Sequence, residues 1–135
     1  MENFRNVLRC KIHRATITQA DLQYEGSITI PPELMEVAGL AEYEAVHVWN
    51  VTAGTRFETY TILGEPSSTN ICVNGAAARL VQPGDKVIIA AFMMIPDSSL
   101  ATYKPRLIFV DENNRFKETR PELAGPKLRA KIHAV

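Results

Sequence analysis

Short strand-like runs, each closed by a turn signal, follow one another along most of this chain of 135 residues. In residues 8–13 apolar and polar side chains alternate with period two, which predicts a half-buried strand with Lys11 and His13 on one face. Runs rich in β-branched, aromatic and apolar residues predict further strands at residues 22–30, 45–51, 56–63, 71–73, 86–95 and 106–110. The regular spacing of these strands favours a small closed barrel over an alternating α/β sheet.

Helices are predicted to be few and short. Pro31 and Pro32 suit the first turn of a helix, and Gly39 suits its left-handed end about two turns later. Residues 76–80 are long enough for one further helical turn. The expected fold class is therefore mainly β, a small β-barrel with a few short helices, in a single domain that covers residues 1–135.

The charges balance over the whole chain but not along it. Lys and Arg together number fifteen, as do Asp and Glu, so no global positive field attracts nucleic acid. Residues 115–135 carry six basic and two acidic side chains, and residues 118–135 are predicted to form a flexible, solvated tail. Hydrophobic residues make up 46% of the chain, which indicates a globular protein rather than a disordered one.

The sequence predicts a cytoplasmic protein without a metal. No apolar run approaches the roughly 18–20 residues that a membrane span needs, and the first residues carry no apolar secretory core. Cys10 and Cys72 cannot form a disulfide framework, so reduced thiols are expected. Neither the cysteines nor the three histidines stand at metal-ligand spacing, and no metal site is expected.

The neighbouring residues Gly26 and Ser27 are the feature that points to chemistry, since no HExxH, GxSxG or phosphate-loop motif occurs. By itself such a pair between strand residues is ordinarily a bulge whose hydroxyl forms a local hydrogen bond. The alternative is a backbone that cuts itself, in which the Ser27 hydroxyl attacks the Gly26 carbonyl carbon and turns the amide into an ester. Glycine tolerates the strained backbone that this attack needs and leaves the carbonyl carbon unshielded.

Over roughly residues 7–117 the chain resembles the pyruvoyl-dependent aspartate 1-decarboxylases. The matching stretches, in order, are LRCKIHRATITQADLQYEGSITI, EAVHVWNVTAGTRFETYTI, ICVNGAAARLVQPGDKVIIAAF and KPRLIFVDENN. The resemblance implies a double-psi β-barrel that assembles as a homotetramer, with sites between neighbouring subunits. It also implies cleavage into residues 1–26 and 27–135, after which Ser27 becomes an amino-terminal pyruvoyl group.

By this resemblance the chain would convert L-aspartate to β-alanine and CO₂ and feed pantothenate and coenzyme A synthesis. The pyruvoyl group made from Ser27 would take the substrate amine as a Schiff base and accept the electrons that decarboxylation releases, so pyridoxal phosphate is not needed. Tyr60 matches the family's proton donor to the carbanion. Thr59 matches the residue that stabilises the oxyanion formed at Gly26 during cleavage.

The resemblance also implies a set of substrate-binding residues. Arg56, with its planar fork, and Lys11, with its compact charge, match family positions that bind the carboxylates of the substrate, and Thr59 is placed with them. The loop around the pyruvoyl group and the substrate matches Asn74, Gly75, Ala76 and Ala77. The positions that line or support the pocket match His13, Tyr24 and Trp49.

One departure from the family and two alternative functions remain. Many members have His where this chain has Gln23, so cleavage here is expected to be slower or to depend on other groups. A decarboxylase for a related acid such as glutamate stays open, because one methylene changes discrimination by only ~1–3 kcal/mol. An uncleaved barrel that acts as a binding module stays open as well. The sequence does not say whether a maturation factor is required.

Overall fold

The computed structural model describes residues 1–125 and confirms a mainly β fold with short helices. Its strands are β1 Phe4–Thr16, β2 Gln19–Asp21, β3 Ser27–Ile30, β4 Ala45–Asn50, β5 Arg56–Leu63, β6 Cys72–Asn74, β7 Lys86–Pro96, β8 Arg106–Val110 and β9 Phe116–Thr119. The helices are α1 Pro32–Ala38 and two 3₁₀ helices, Gly75–Leu80 and Asp97–Thr102. The double-psi topology within this class stays a prediction.

The strands described in residues 1–125 join one sheet in the order β2-β6-β3-β5-β4-β7-β1-β8-β9. β1 pairs antiparallel with β7 along most of its length and parallel with β8. β3 pairs parallel with β5 and antiparallel with β6. The start of β3 therefore lies between the middle of β5 and the end of β6, and the candidate site is built there.

One face of the sheet carries the core. Ile12, Ile28, Val48, Val73 and Ile89, each from a different strand, are fully buried. Because side chains alternate along a strand, the residues between them point to the other face, which carries the polar and charged groups. α1 packs its buried side chains against β1 and β8 and covers one part of the core.

The helices are as short as the sequence predicts. α1 begins at Pro32, and Gly39 follows it with φ +72°, the left-handed end expected there. The helical turn predicted at residues 76–80 belongs to the 3₁₀ helix Gly75–Leu80. Within residues 1–125, no helix has the length and apolar character that crossing a membrane would take.

The predicted strand at residues 22–30 is only half formed. Residues 22–26 are a turn, in which Asp21 Oδ1 accepts a hydrogen bond from the Gln23 amide at 2.9 Å, and β3 begins at Ser27. An aspartate that bonds to the backbone two residues on stabilises a turn in competition with a strand. As a result Gly26 and Ser27 lie at the junction of a turn and a strand.

The C-terminal segment begins in a strand rather than in a tail. Phe116–Thr119 forms β9, which pairs antiparallel with β8 and includes the first residues of the segment 118–135 predicted to be flexible. All four β9 side chains are exposed and show no apolar alternation, so only the edge pairing with β8 reveals this strand. Residues 126–135, the rest of the predicted tail, lie outside the described residues.

Candidate active site

Ser27 is almost fully buried at the start of β3, with 6% of its surface exposed. Its partner in the antiparallel β3–β6 pair is Asn74, the last residue of β6. Asn74 Nδ2 donates a hydrogen bond to Ser27 Oγ at 3.2 Å and lies 3.5 Å from Thr29 Oγ1. Strand pairing therefore places a fixed hydrogen-bond donor on the hydroxyl that follows Gly26.

Gly75 packs directly against the backbone of Gly26. Its φ is +73°, and a Cβ built on it would stand 2.6 Å from the Cα of Gly26 and 2.8 Å from the Gly26 nitrogen. Carbon atoms do not approach so closely, so any larger residue at position 75 must displace the Gly26 backbone. Asn74 and Gly75 together form a close-fitting cradle for the backbone at Gly26 and Ser27.

Ser27 lines a cleft of about 520 Å³. Four of the predicted site residues share this cleft, namely Ser27, Tyr24, Tyr60 and Asn74. Tyr24 comes from the turn before β3 and Tyr60 from the middle of β5, and both are exposed. The cleft thus contains the residue predicted to form the cofactor and the predicted proton donor.

Tyr60 reaches the cleft because β5 is paired with β3. Ile28 is paired with Thr61, and both are fully buried in the core. Ser27 and Tyr60 each precede one member of this pair, so both side chains point to the opposite, outer face of the sheet. The ring of Tyr43 lies 6.4 Å from the Tyr60 ring and packs beside it on the outer face.

Thr59 faces away from Tyr60. The β4–β5 register is regular, with Val46 opposite Thr59 and Ala45 opposite Tyr60, so no bulge turns the two side chains together. Thr59 lines a second cleft of about 390 Å³, which Tyr60 also borders. The cleft that holds Ser27 does not include Thr59 among its lining residues. Its predicted part in cleavage and substrate binding stays a prediction.

Arg56 and Trp49 lie on the same outer face as Tyr60. They are cross-strand partners, and the guanidinium carbon of Arg56 lies 5.4 Å from the centre of the Trp49 ring. Between Arg56 and Tyr60, Glu58 pairs with His47, whose Nδ1 is 3.4 Å from the Glu58 carboxylate. The aromatic face orients the planar guanidinium while leaving its edge available to a carboxylate.

Lys11 belongs to the same outer face but lies far from Ser27. The register places Lys11 beside Ala90, Ala90 beside His47, and His47 beside Glu58, across β1, β7, β4 and β5. β3 is one strand further, so β1 and β3 are four strand spacings apart, about 19 Å across the sheet. Lys11 is only 8% exposed, and its Nζ forms an ion pair with Glu122.

His13 stands next to Lys11 on β1 and away from the Ser27 cleft. Its ring packs against Phe109 of β8, with 5.3 Å between ring centres. Its Nδ1 is buried and has no hydrogen-bond partner among residues 1–125. Burial lowers the pKa of His13 below its usual value, and the positive charges of Lys11 and Arg14 lower it further.

Ala76 and Ala77 continue from Gly75 into the 3₁₀ helix that follows the cradle. Ala76 is exposed, and Ala77 packs against the core. Their predicted part in the loop around the substrate stays a prediction.

Sequence reasoning missed several residues that contact these sites. Thr29 lines the Ser27 cleft and is two residues after Ser27, so the period of β3 was a signal for it. The cleft also includes Gln19, Ile62 and Cys72 from other strands, for which no local signal exists. The contact of Glu122 with Lys11 was likewise not predicted.

In the part of the chain that the structure describes, His, Cys, Asp and Glu form no group of three that could hold a metal ion.

Comparison with known proteins identifies relatives along nearly the whole chain. The family model described as aspartate decarboxylase matches residues 3–117. A Legionella pneumophila protein named aspartate 1-decarboxylase is 63% identical over 126 residues, which cover 93% of this chain and 95% of that protein. Proteins of the same name from Rhodopirellula baltica and Myxococcus xanthus are 58% and 50% identical, covering 94% and 93% of this chain and 81% and 98% of their own lengths. The chain therefore belongs to the aspartate decarboxylase family.

Proposed function

We propose that this protein decarboxylates L-aspartate to β-alanine and CO₂, after cutting its own backbone between Gly26 and Ser27. The observation that carries the proposal is the cradle: Gly75 against the Gly26 backbone, and Asn74 donating to Ser27 Oγ at 3.2 Å. Relatives named for this activity, at 50–63% identity, support the reaction. Supply of β-alanine for pantothenate and coenzyme A synthesis follows from the product.

Self-cleavage begins with attack by Ser27 Oγ on the Gly26 carbonyl carbon. The C–N bond breaks, an ester forms, and the Ser27 nitrogen becomes a free amine. Elimination then takes the Ser27 Cα proton and releases Gly26 as the carboxyl terminus of residues 1–26. Water replaces the nitrogen, ammonia leaves, and residue 27 is left as a pyruvoyl group. The close fit of Gly75 holds the Gly26 backbone still for the first step, and such positioning lowers barriers substantially.

The residues around Ser27 fit the pyruvoyl group that the family implies. Gly75 adds no side chain beside the Gly26–Ser27 backbone, and Asn74 Nδ2 is an amide donor next to residue 27 that could bond to a ketone oxygen formed there. When formed, the group supplies an electrophile and an electron sink, which no ordinary side chain offers. Neither a metal nor pyridoxal phosphate is part of the proposal.

Tyr60 is proposed to hold the proton that replaces the lost carboxylate. Its phenol shares the outer face and the cleft with Ser27, and a phenol hydroxyl is both a hydrogen-bond donor and an acid. Decarboxylation leaves an electron pair on the former α-carbon, and proton delivery from Tyr60 Oη completes β-alanine.

Arg56 and Lys11 are proposed to bind the carboxylates of aspartate in sites completed by a second copy of the chain. Lys11 is on β1, four strands along the sheet from β3, and it does not line the cleft that holds Ser27 in the same chain. Contribution of Lys11 by a neighbouring subunit removes this difficulty and favours the homotetramer.

A cytoplasmic location is proposed on the two reduced cysteines, Cys10 and Cys72.

An intact-mass spectrum of the purified protein, combined with an assay for CO₂ release, tests the proposal. We expect two species with the masses of residues 1–26 and of pyruvoyl-capped residues 27–135, and faster release from aspartate than from glutamate. Ser27→Ala is the control and should stay one full-length, inactive chain. A parent chain that stays uncleaved after prolonged warm incubation and releases no CO₂ would overturn the proposal in favour of a binding module. Faster turnover of glutamate would replace the substrate.

A further inference from the structure

Glu122, near the end of the described residues, forms an ion pair with the ammonium group of Lys11. Lys11 Nζ donates a hydrogen bond to Glu122 Oε1, although the two residues are 111 positions apart in sequence. The Lys11 side chain is 10% exposed, whereas that of Glu122 is 59% exposed. An ammonium group so well covered needs a counter-charge, and a mostly exposed carboxylate can leave it at little cost in solvation.

The segment that carries Glu122 is anchored over Lys11 and His13. β9 pairs with β8, which fixes the chain up to Thr119. Next, the guanidinium carbon of Arg120 lies 3.9 Å from the centre of the Phe109 ring, and that ring packs on His13. Glu122 follows two residues later. Its carboxylate is therefore held close to Lys11 at a high effective concentration, rather than meeting it by chance from a free end.

We infer that Glu122 acts as an internal competitor for the substrate carboxylate at Lys11. This inference rests on the proposed function, in which Lys11 binds a carboxylate of aspartate. With the site empty, Glu122 neutralises and orients the Lys11 ammonium. When an acidic substrate arrives, its carboxylate takes the place of Glu122, and the segment 120–122 is displaced from Lys11. Glu122 thereby raises the substrate concentration required for half-maximal rate without taking part in the chemistry.

The kinetic test uses Glu122→Gln, which keeps the shape of the side chain and removes its charge. KM for aspartate should fall by about threefold or more, the size expected when one ion pair no longer competes, while kcat stays within about twofold of the parent. Glu118→Gln is the matched control, because Glu118 lies in the same segment but pairs with Arg120 instead of Lys11. An unchanged KM in Glu122→Gln, or an equal fall in both variants, would overturn the inference.

A binding test separates this inference from the proposed activity. Succinate, a dicarboxylate without an amine, is titrated calorimetrically into Ser27→Ala and into the Ser27→Ala variant that also carries Glu122→Gln. The second protein should bind succinate about threefold or more tightly. Equal affinities, or no binding to either protein, would refute competition at Lys11. If the parent does not decarboxylate aspartate, the proposed function fails, and the succinate result still decides the role of Glu122.

Chemical labelling tests the underlying contact without any ligand. Acetic anhydride at limiting concentration, followed by peptide mass mapping, reports how reactive the Lys11 amine is. Lys11 should acetylate more readily in Glu122→Gln than in the parent, and no more readily in Glu118→Gln. Equal labelling of Lys11 in all three proteins would show that Glu122 does not pair with the Lys11 amine, which contradicts the inference.

Discussion

Gly75 and Gly26 are in such close contact that a methyl group added to Gly75 would stand 2.6 Å from the Gly26 Cα. Gly75 also has φ +73°, a conformation that costs other residues roughly 1–2 kcal/mol. The two residues come from distant parts of the chain, and Ser27 follows one of them directly. Their contact thus links the loop after β6 to the bond that is proposed to break.

Gly75→Ala is expected to slow self-cleavage by about 10²-fold, because the added methyl group displaces Gly26 from the Ser27 hydroxyl. The measurement is the fraction of cleaved chain against time on a denaturing gel. Gly54→Ala is the matched control: Gly54 has φ +77° but nothing within 4 Å of an added Cβ. It should lose similar backbone stability yet cleave at the parent rate. Equal cleavage in the two variants would mean that the contact with Gly26 is irrelevant to processing.

Arg56→Lys keeps the positive charge but loses the planar fork that binds a carboxylate with two hydrogen bonds. We expect kcat/KM for aspartate to fall by about 10²-fold while cleavage proceeds normally, as judged by steady-state kinetics and intact mass. Trp49→Phe, which keeps an aromatic face under Arg56, should have a much smaller effect. Near-normal kinetics in Arg56→Lys would show that Arg56 does not bind the substrate carboxylate with two hydrogen bonds.

Tyr60→Phe removes one hydroxyl and keeps the ring. The variant should cleave into the same two fragments but turn over at least about 10²-fold more slowly, the size of a typical general-acid contribution. Tyr43→Phe is its control, since Tyr43 packs 6.4 Å away and does not line the Ser27 cleft. Failure of Tyr60→Phe to cleave would move Tyr60 to the maturation step, and parent-like turnover would require another proton source.

His13 is expected to make the folded protein less stable in mild acid. Burial lowers the pKa of His13, with further lowering by Lys11, Arg14 and Arg120 and an opposing contribution from Glu122. Below the usual histidine value of about 6.5, the unfolded chain therefore binds a proton more readily than the folded chain, so the free energy of unfolding falls as pH falls. Urea titrations at about pH 8 and about pH 5.5 should show that the free energy of unfolding falls less between these two pH values in His13→Gln than in the parent. Equal losses would contradict this account.

Local patterns in the sequence were sufficient to predict most of the strands. Alternation predicted the central part of β1 around Lys11, and the proline pair and Gly39 predicted the bounds of α1. These features depend on interactions over a few residues, which is why they can be read without a structure. The exposed strand β9 escaped prediction because its residues carry no apolar period.

Only the tertiary structure decided which of these residues meet. Asn74 contacts Ser27 and Tyr60 shares its cleft because β3 lies between β6 and β5. Lys11 is away from that cleft because three strands separate β1 from β3. Glu122 meets Lys11 because β9 adds to the edge of β8. The order of strands in a sheet follows from burying one shared apolar face with the connections that the whole chain allows. No local period encodes that order. The strands and helices could therefore be predicted from the sequence, whereas the residues that lie beside one another in the site could not.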